Sequence, residues 1–224
     1  MNQNKSDFTF KIVMTGDSGV GKSQLIQRFV SNTFEDNHSP TLGVEISTQF
    51  LDIDNKKIAL SIWDTMGQEQ YQSLASLYYK GAGGAILVFD IFKRESFLSI
   101  AKWKENLSSN CSETVATLLI GNKLDLKEQR QVTHDEAIQY AEELNFAYIE
   151  TSAKDSTNVN RAFELLAKEI YKINVKELKE SVFLSPSFAN SKIKGESLVE
   201  KKEEKKEISL KSPKKPNPQK ESCC

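Results

Sequence analysis

The sequence predicts an α/β protein: a doubly wound, mostly parallel six-stranded sheet with helices on both faces, followed by a disordered tail. Three observations carry that reading. Between residues 8 and 175 short apolar runs alternate with helical patterns, which is the rhythm of βαβ units. Three of those runs are apolar throughout, as in strands buried on both faces of a sheet. Near residue 177 the composition changes: four of the five prolines lie beyond it, with 11 lysines and 8 glutamates. Such a segment buries too little apolar surface to offset its ordering entropy. The chain therefore divides into a flexible N-terminus (1–7), one domain (8–176) and a disordered tail (177–224).

Taken in order, residues 8–15 read as a strand, and 24–30 as a helix with Leu25, Ile26, Phe29 and Val30 on one side. Strand-like runs follow at 44–53 and 57–64. The polar stretch Asp52-Ile53-Asp54-Asn55-Lys56 between them suits a tight turn, so the pair is expected to form an antiparallel hairpin. The continuous apolar runs are 85–89, 115–120 and 146–149. Helical patterns at 96–106, 133–144 and 158–175 separate or follow them, and Thr133 with Glu136 makes a capping-box start for the middle one. In such a sheet, ligands are expected at the carboxyl ends of the strands.

The whole-chain properties exclude several classes. A net charge of −1 gives nothing global to attract nucleic acid. Three cysteines, two of them the last two residues, make no disulfide framework and fit a reducing compartment, with Cys111 a small buried side chain. The polar start Met1-Asn2-Gln3-Asn4 lacks the apolar core of a signal peptide, and Asn2 excludes N-myristoylation. No apolar run reaches the roughly 18 residues that a membrane-spanning helix needs.

Gly16-Asp17-Ser18-Gly19-Val20-Gly21-Lys22-Ser23 matches G-x-x-x-x-G-K-[ST] between a predicted strand and a predicted helix. The glycines let successive N–H groups converge on phosphate oxygens, and the helix that follows, beginning with Gln24, adds its positive end. Lys22 supplies a mobile charge for the β- and γ-phosphates, and the Ser23 hydroxyl suits Mg²⁺. ATPases and nucleotide kinases use the same loop, so other residues must select the base.

Gly121-Asn122-Lys123-Leu124-Asp125 directly follows an apolar strand. An Asp there accepts from both N1–H and the exocyclic amine of guanine, a donor pair that adenine lacks; such a site discriminates by roughly 10⁴–10⁵. Alone, N-K-x-D is a weak signal; behind a strand, with a phosphate loop upstream, it is strong. Glu150-Thr151-Ser152-Ala153-Lys154 follows the next strand, and backbone donation from it, with Ser152, Ala153 and Lys154 as candidates, would complete the base pocket. Asp64 ends a strand and opens Asp64-Thr65-Met66-Gly67-Gln68-Glu69. Its carboxylate can hold the Mg²⁺ shell through water, and Gly67 can bring its N–H to the γ-phosphate. Gln68 can orient the attacking water, and because its amide is nearly inert as a base, positioning and electrostatics must carry the catalysis.

Together with Trp63-Asp64-Thr65-x-Gly67-Gln68-Glu69, Tyr78-Tyr79-Lys80-Gly81-Ala82, Gly84-Ala85-Ile86-Leu87-Val88-Phe89-Asp90 and Thr41-Leu42-Gly43-Val44-Glu45, these residues resemble the small GTPases of the Ras superfamily, and among them the Rab family, over about residues 8–175. The resemblance implies a slow GTPase that is switched by GTP and GDP in vesicle traffic. It implies that Thr41 closes over Mg²⁺ and the γ-phosphate, and that Phe34 packs against the guanine. It implies effectors bound to the GTP state through Leu42, Val44, Ile46, Trp63 and Tyr78, although Ile46 and Trp63 can also be core. An exchange factor, a GTPase-activating protein and a lipid-shielding chaperone are the other implied partners of a monomeric protein.

One departure stands out. The family usually has Ala where this chain has Met66. A longer side chain there either slows hydrolysis and biases the switch, or points away and is tolerated. The phosphate loop holds no arginine, so transition-state charge must be met by an activator in trans and intrinsic turnover should be slow. The terminal Cys223 and Cys224 do not form a C-a-a-X box; in a chain resembling Rab proteins they imply double geranylgeranylation, hence stable anchoring on the cytoplasmic face of intracellular membranes. Six lysines against one glutamate in 205–220 suit either a solvated linker or an anionic lipid surface.

Overall fold

A computed structural model of the chain describes residues 5–36, 41, 43–65, 75–112 and 114–183. The chain divides into two units, Met1–Ser181 and Val182–Cys224, and the second lies almost wholly outside the described residues. The first is built on a six-stranded sheet with the order β2-β3-β1-β4-β5-β6, where β1 is Phe8–Thr15, β2 Glu45–Ile53, β3 Lys56–Asp64, β4 Gly84–Asp90, β5 Ala116–Asn122 and β6 Ala147–Glu150. Only β2 runs antiparallel to its neighbour among the described strands. The hairpin forms because Asp54 (φ 50°) and Asn55 (φ 61°) both adopt left-handed backbone, which Asp and Asn tolerate and which the two-residue turn between Ile53 and Lys56 requires.

Side chains alternate across the sheet and build two cores. On one face Phe10, Ile12 and Met14 of β1 join Ile86 and Val88 of β4 and Leu118 and Ile120 of β5. Helices α1 (Lys22–Ser31) and α6 (Val159–Phe183) cover that face, with Phe29 stacked on Phe163 at 4.1 Å between ring centroids. On the other face Val13, Leu87, Phe89 and Leu119 meet residues of α2 (Ala75–Tyr79), α3 (Arg94–Leu98), α4 (Ile100–Asn110) and α5 (His134–Glu143). Each fully buried Ile, Leu or Phe contributes about 1.5–3 kcal/mol relative to exposure. The doubly wound architecture is therefore as the apolar runs predict.

Three expectations need correction. The single helix expected over 96–106 is two helices meeting at Ser99, whose Oγ donates to Glu95 O at 3.0 Å; a serine bonding back one turn bends a helix. Helix α6 continues past residue 175 to Phe183, because Lys176, Glu177, Leu178, Lys179 and Glu180 are good helix formers, and an apolar stripe marks where a helix is buried, not where it stops. Cys111 is half-buried rather than fully enclosed, with Sγ 3.5 Å from Tyr79 O. The cap of α5 is as expected: Thr133 Oγ1 accepts from Glu136 N at 3.2 Å, and the Glu136 carboxylate also takes the forked guanidinium of Arg94. The helices bring every loop of interest to one edge, where β1, β3, β4, β5 and β6 all end.

Candidate nucleotide-binding site

The loop between β1 and α1 depends on two glycines. Gly16 (φ +140°) lies so close to β4 that a Cβ would overlap Val88 O, and Gly21 (φ +96°) would place one 2.5 Å from Asn122 Nδ2. Gly21 also caps α1 with no side-chain hydrogen bond, and the first turn of that helix holds no acidic residue. Its leading N–H groups and positive end are therefore left for an anion. Lys22 is buried and donates to Gly16 O at 2.8 Å and Asp17 O at 3.0 Å, spanning the loop. Burial pulls its ammonium down to about 8, against the opposing pull of Asp64 and Asp17. Asp17 itself is fastened from α4, accepting from Trp103 Nε1 at 2.7 Å.

Beside Lys22 three oxygen-bearing side chains converge. Ser23 Oγ lies 2.7 Å from Thr41 Oγ1 and donates to Asp64 Oδ2, which also accepts from Thr41 at 3.4 Å. Asp64 Oδ1 is buried with no hydrogen-bond partner among the described residues. Burial raises the Asp64 carboxyl, and the Ser23 hydroxyl, Lys22 and Thr41 work against that rise. An orphaned carboxylate oxygen beside two hydroxyls is the donor set of a hard divalent cation such as Mg²⁺. Gly67 and Gln68, expected on the γ-phosphate side, lie outside the described residues, as do Met66 and Leu42.

The base loops meet at the ends of β5 and β6. Asn122 is buried; it donates to Val20 O at 2.9 Å and accepts from Thr151 Oγ1 at 3.1 Å, so it fastens the phosphate loop to both base loops. Lys123 takes a left-handed backbone (φ 70°) and pairs with Asp90 Oδ2 at 2.7 Å. Asp125 stays exposed at the rim, with Oδ1 accepting from Ser152 Oγ at 2.7 Å. Gln24 Oε1 accepts from Glu35 N at 3.0 Å, which tethers the segment carrying Phe34.

These groups enclose a cavity of about 400 Å³, within the range of small-ligand pockets, lined by Ser18, Gly19, Gly21, Lys22, Ser23, Gln24, Phe34, Thr41, Asn122, Lys123, Asp125, Ala153 and Lys154. Five expected residues stand behind the wall instead: Gly16 lies against β4, Asp17 is held by Trp103, Val20 sits in the core, Asp64 is buried behind Ser23, and Ser152 orients Asp125. The sequence reading missed Leu126, Thr65, Glu35 and Asp36 in the lining, and Arg28, Asp90, Trp103 and Thr151 as supports. Asp90 and Thr151 had a local signal, since each stands where an apolar strand ends at the ligand edge.

A second network braces the base loops from behind. Arg130 follows the 3₁₀ turn Leu124–Gln129 and grips Glu150 with both terminal nitrogens, at 2.7 and 2.8 Å. Tyr148 Oη donates to the same carboxylate at 2.9 Å, and His134 Nδ1 lies 3.1 Å from it. Burial alone would raise the Glu150 carboxyl, but these partners outweigh it and hold it down to about 2. A folded value below the unfolded one, about 4.3, means the network stabilises fully above roughly pH 5 and loses that contribution as pH falls toward 2. Arg130→Ala should therefore cost about 2 kcal/mol at pH 7, and the gap to wild type should shrink on acidification. Urea unfolding at pH 7 and pH 3 measures this; a gap that does not narrow would refute it.

The sheet order and this pocket are those of a phosphate-loop nucleotide-binding protein. A profile of the Ras family matches residues 11–172. The chain is 45% identical over 193 residues to "Ras-related protein RABA5a" of Arabidopsis thaliana, covering 86% of this chain and 87% of that one. It is 44% identical to "GTP-binding protein ypt3" of Schizosaccharomyces pombe, covering 76% of this chain and 80% of that one. Against "Ras-related protein RGP1" of rice, Oryza sativa subsp. japonica, identity is 44% with 87% of each chain covered. The chain belongs to the Ras family, in its Rab branch, and is a small GTPase that binds guanine nucleotide and hydrolyses GTP to GDP.

Proposed function

We propose that residues 8–176 form a GTP-operated switch, and that residues 177–224 tether it to intracellular membranes as part of vesicle traffic. The observation that carries the switch is the position of Thr41. Its hydroxyl meets Ser23 and Asp64 at 2.7 and 3.4 Å, so the segment between α1 and β2 reaches the cation donors directly. A γ-phosphate that shares the cation with Thr41 holds this segment, and its loss releases it.

In this reading Lys22 and the N–H groups from Gly16 to Ser23 bind the β- and γ-phosphates, and Gly67 N–H meets the γ-phosphate. Ser23, Thr41 and Asp64 are the residues that would hold Mg²⁺. Mg²⁺ bound there neutralises charge that develops on the phosphate oxygens. Asp125 accepts from guanine N1–H and its amine, Asn122 and Lys123 frame the base, and Phe34 packs on it. The backbone N–H groups of Ala153 and Lys154 donate to the guanine oxygen, whereas that of Ser152 is taken by Thr157 O at 3.0 Å. Gln68 orients the attacking water. No arginine lines the cavity among the described residues, which supports slow intrinsic turnover and an activating protein in trans.

Exposed Ile46, 54% accessible, with half-buried Trp63 and Tyr78, offers effectors an apolar surface; Trp63 lies beneath Lys11 Nζ, 3.7 Å from its ring centroid. Exchange factors and a lipid-shielding chaperone complete the cycle, and lipids on Cys223 and Cys224 anchor it. Among the described residues no helix is long and apolar enough to cross a membrane.

Imaging the tagged full chain beside a variant lacking Cys223 and Cys224 tests the membrane role. The intact chain should mark internal membranes and the variant should spread through the cytosol; identical distributions would sink the proposal. Met66→Ala tests the departure in the catalytic segment. It should speed single-turnover GTP hydrolysis several-fold, a change that needs only about 1 kcal/mol at the transition state. A rate unchanged within about twofold would show that Met66 is tolerated.

A further inference from the structure

We infer that Arg28 is a positioning residue for base recognition, holding the 152–154 loop so that the Lys154 N–H faces the guanine oxygen. Arg28 sits in the last turn of α1, the helix whose first turn carries Lys22 and Ser23. Its Nε donates to Ala153 O at 2.8 Å and its Nη2 to Lys154 O at 2.9 Å. Its Nη1 donates to Asn32 O at 2.8 Å. One planar guanidinium thus clasps two successive carbonyls of the base loop and the end of its own helix. The fixed fork of arginine can do this, and a lysine, with one nitrogen, cannot span both carbonyls in the same geometry.

The consequence follows from peptide geometry. All described peptide bonds are trans, and in a planar trans peptide the N–H points opposite to the C=O. Drawing Ala153 O toward Arg28 therefore turns the Lys154 N–H away from Arg28, while the next peptide, held through Lys154 O, gives its Asp155 N–H to Ser152 Oγ at 3.2 Å and so pins the loop's far side. Ala153 and Lys154 line the nucleotide cavity and Arg28 does not. The residue acts from behind, through the loop. Because α1 also presents the phosphate-binding end, Arg28 sets the distance between the groups that grip phosphate and those that read the base. This inference rests on the assignment of the 152–154 loop to the guanine oxygen.

An ordinary role competes with it, since a cation in the last turn of α1 also favours the helix dipole. Two variants and two ligands separate the roles. GDP carries the oxygen that the loop would read; 2-aminopurine riboside diphosphate keeps the phosphates and the amine but lacks that oxygen and the N1–H, so the comparison is made within each ligand, variant against wild type. Affinities of the full-length protein for both are measured with Mg²⁺ present. Arg28→Ala should weaken GDP binding roughly tenfold, the scale on which small misplacements act, and leave the analogue unchanged. Arg28→Lys, which keeps the helix-end charge, should not restore GDP binding fully.

Three results would overturn the inference: GDP binding unchanged in Arg28→Ala, GDP and analogue weakened by the same factor, or full rescue by lysine. If the wild-type protein itself fails to prefer GDP over the analogue, the loop assignment falls first and this inference with it.

Discussion

Gly16→Ala is expected to lower the melting temperature by about 10 °C and to abolish tight nucleotide binding, the first corresponding to about 3 kcal/mol or more in a domain of this size. Two separate causes add. A residue with a Cβ is strained at φ +140°, which costs on the order of 1–3 kcal/mol. The added carbon also overlaps Val88 O, and that oxygen belongs to β4, paired on both sides by β1 and β5. A flexible side chain in that position could swing aside, but a backbone carbonyl inside a sheet moves only with its strand. Gly81→Ala is the control: Gly81 has φ +74°, a Cβ added there would meet nothing within 4 Å, and it lies outside the nucleotide cavity. It should show backbone strain alone, about 1–2 kcal/mol. Thermal unfolding of both variants free of nucleotide makes the comparison, since bound nucleotide itself raises apparent stability and Gly16→Ala would not hold it. Equal melting temperatures for the two variants would remove the steric argument.

That contrast also shows what the sequence made legible. Strand β4 runs over Gly84–Asp90, one residue beyond each end of its apolar run, because a strand covered on both faces has a continuous apolar signature. The phosphate loop is readable for a related reason: its chemistry needs glycine and lysine at fixed spacing within one turn of chain. The supports were not readable. Trp103 reaches Asp17 across 86 residues and Arg28 reaches Ala153 across 125. Arg28 bonds a backbone carbonyl, which any residue supplies, and Trp103 a carboxylate far away in sequence, so neither leaves a local pattern. Arg28 in sequence is only a cation in the last turn of a helix, and Trp103 only an apolar residue on a helix face. The break at Ser99 escaped for the opposite reason, because apolar periodicity carries on across a bend that one hydroxyl makes.

Asp125→Ala is expected to weaken GDP binding on the order of 10⁴-fold while leaving ADP binding almost unchanged, so that the preference for guanine collapses. Asp125 is the only acidic member of Asn122-Lys123-Leu124-Asp125, and its Oδ1 already takes the Ser152 hydroxyl at 2.7 Å. That bond fixes the carboxylate plane, which a carboxylate must keep in order to meet two donors on one edge of a purine. Removing it leaves both guanine donors without partners in a partly desolvated pocket, and an unmet donor there costs more than the bond was worth in water. Adenine offers no such pair, so it loses nothing. Asp125→Asn sharpens the case: the amide oxygen can still accept from Ser152, but the amide NH₂ then faces the guanine amine, donor against donor. It should lose GDP nearly as severely as Ala while melting close to wild type when both are free of nucleotide. Competition of GDP and ADP against a fluorescent GDP reads all three proteins. A variant retaining GDP affinity within about tenfold would mean that base selection lies elsewhere, and the loop held by Arg28 would then be the place to look.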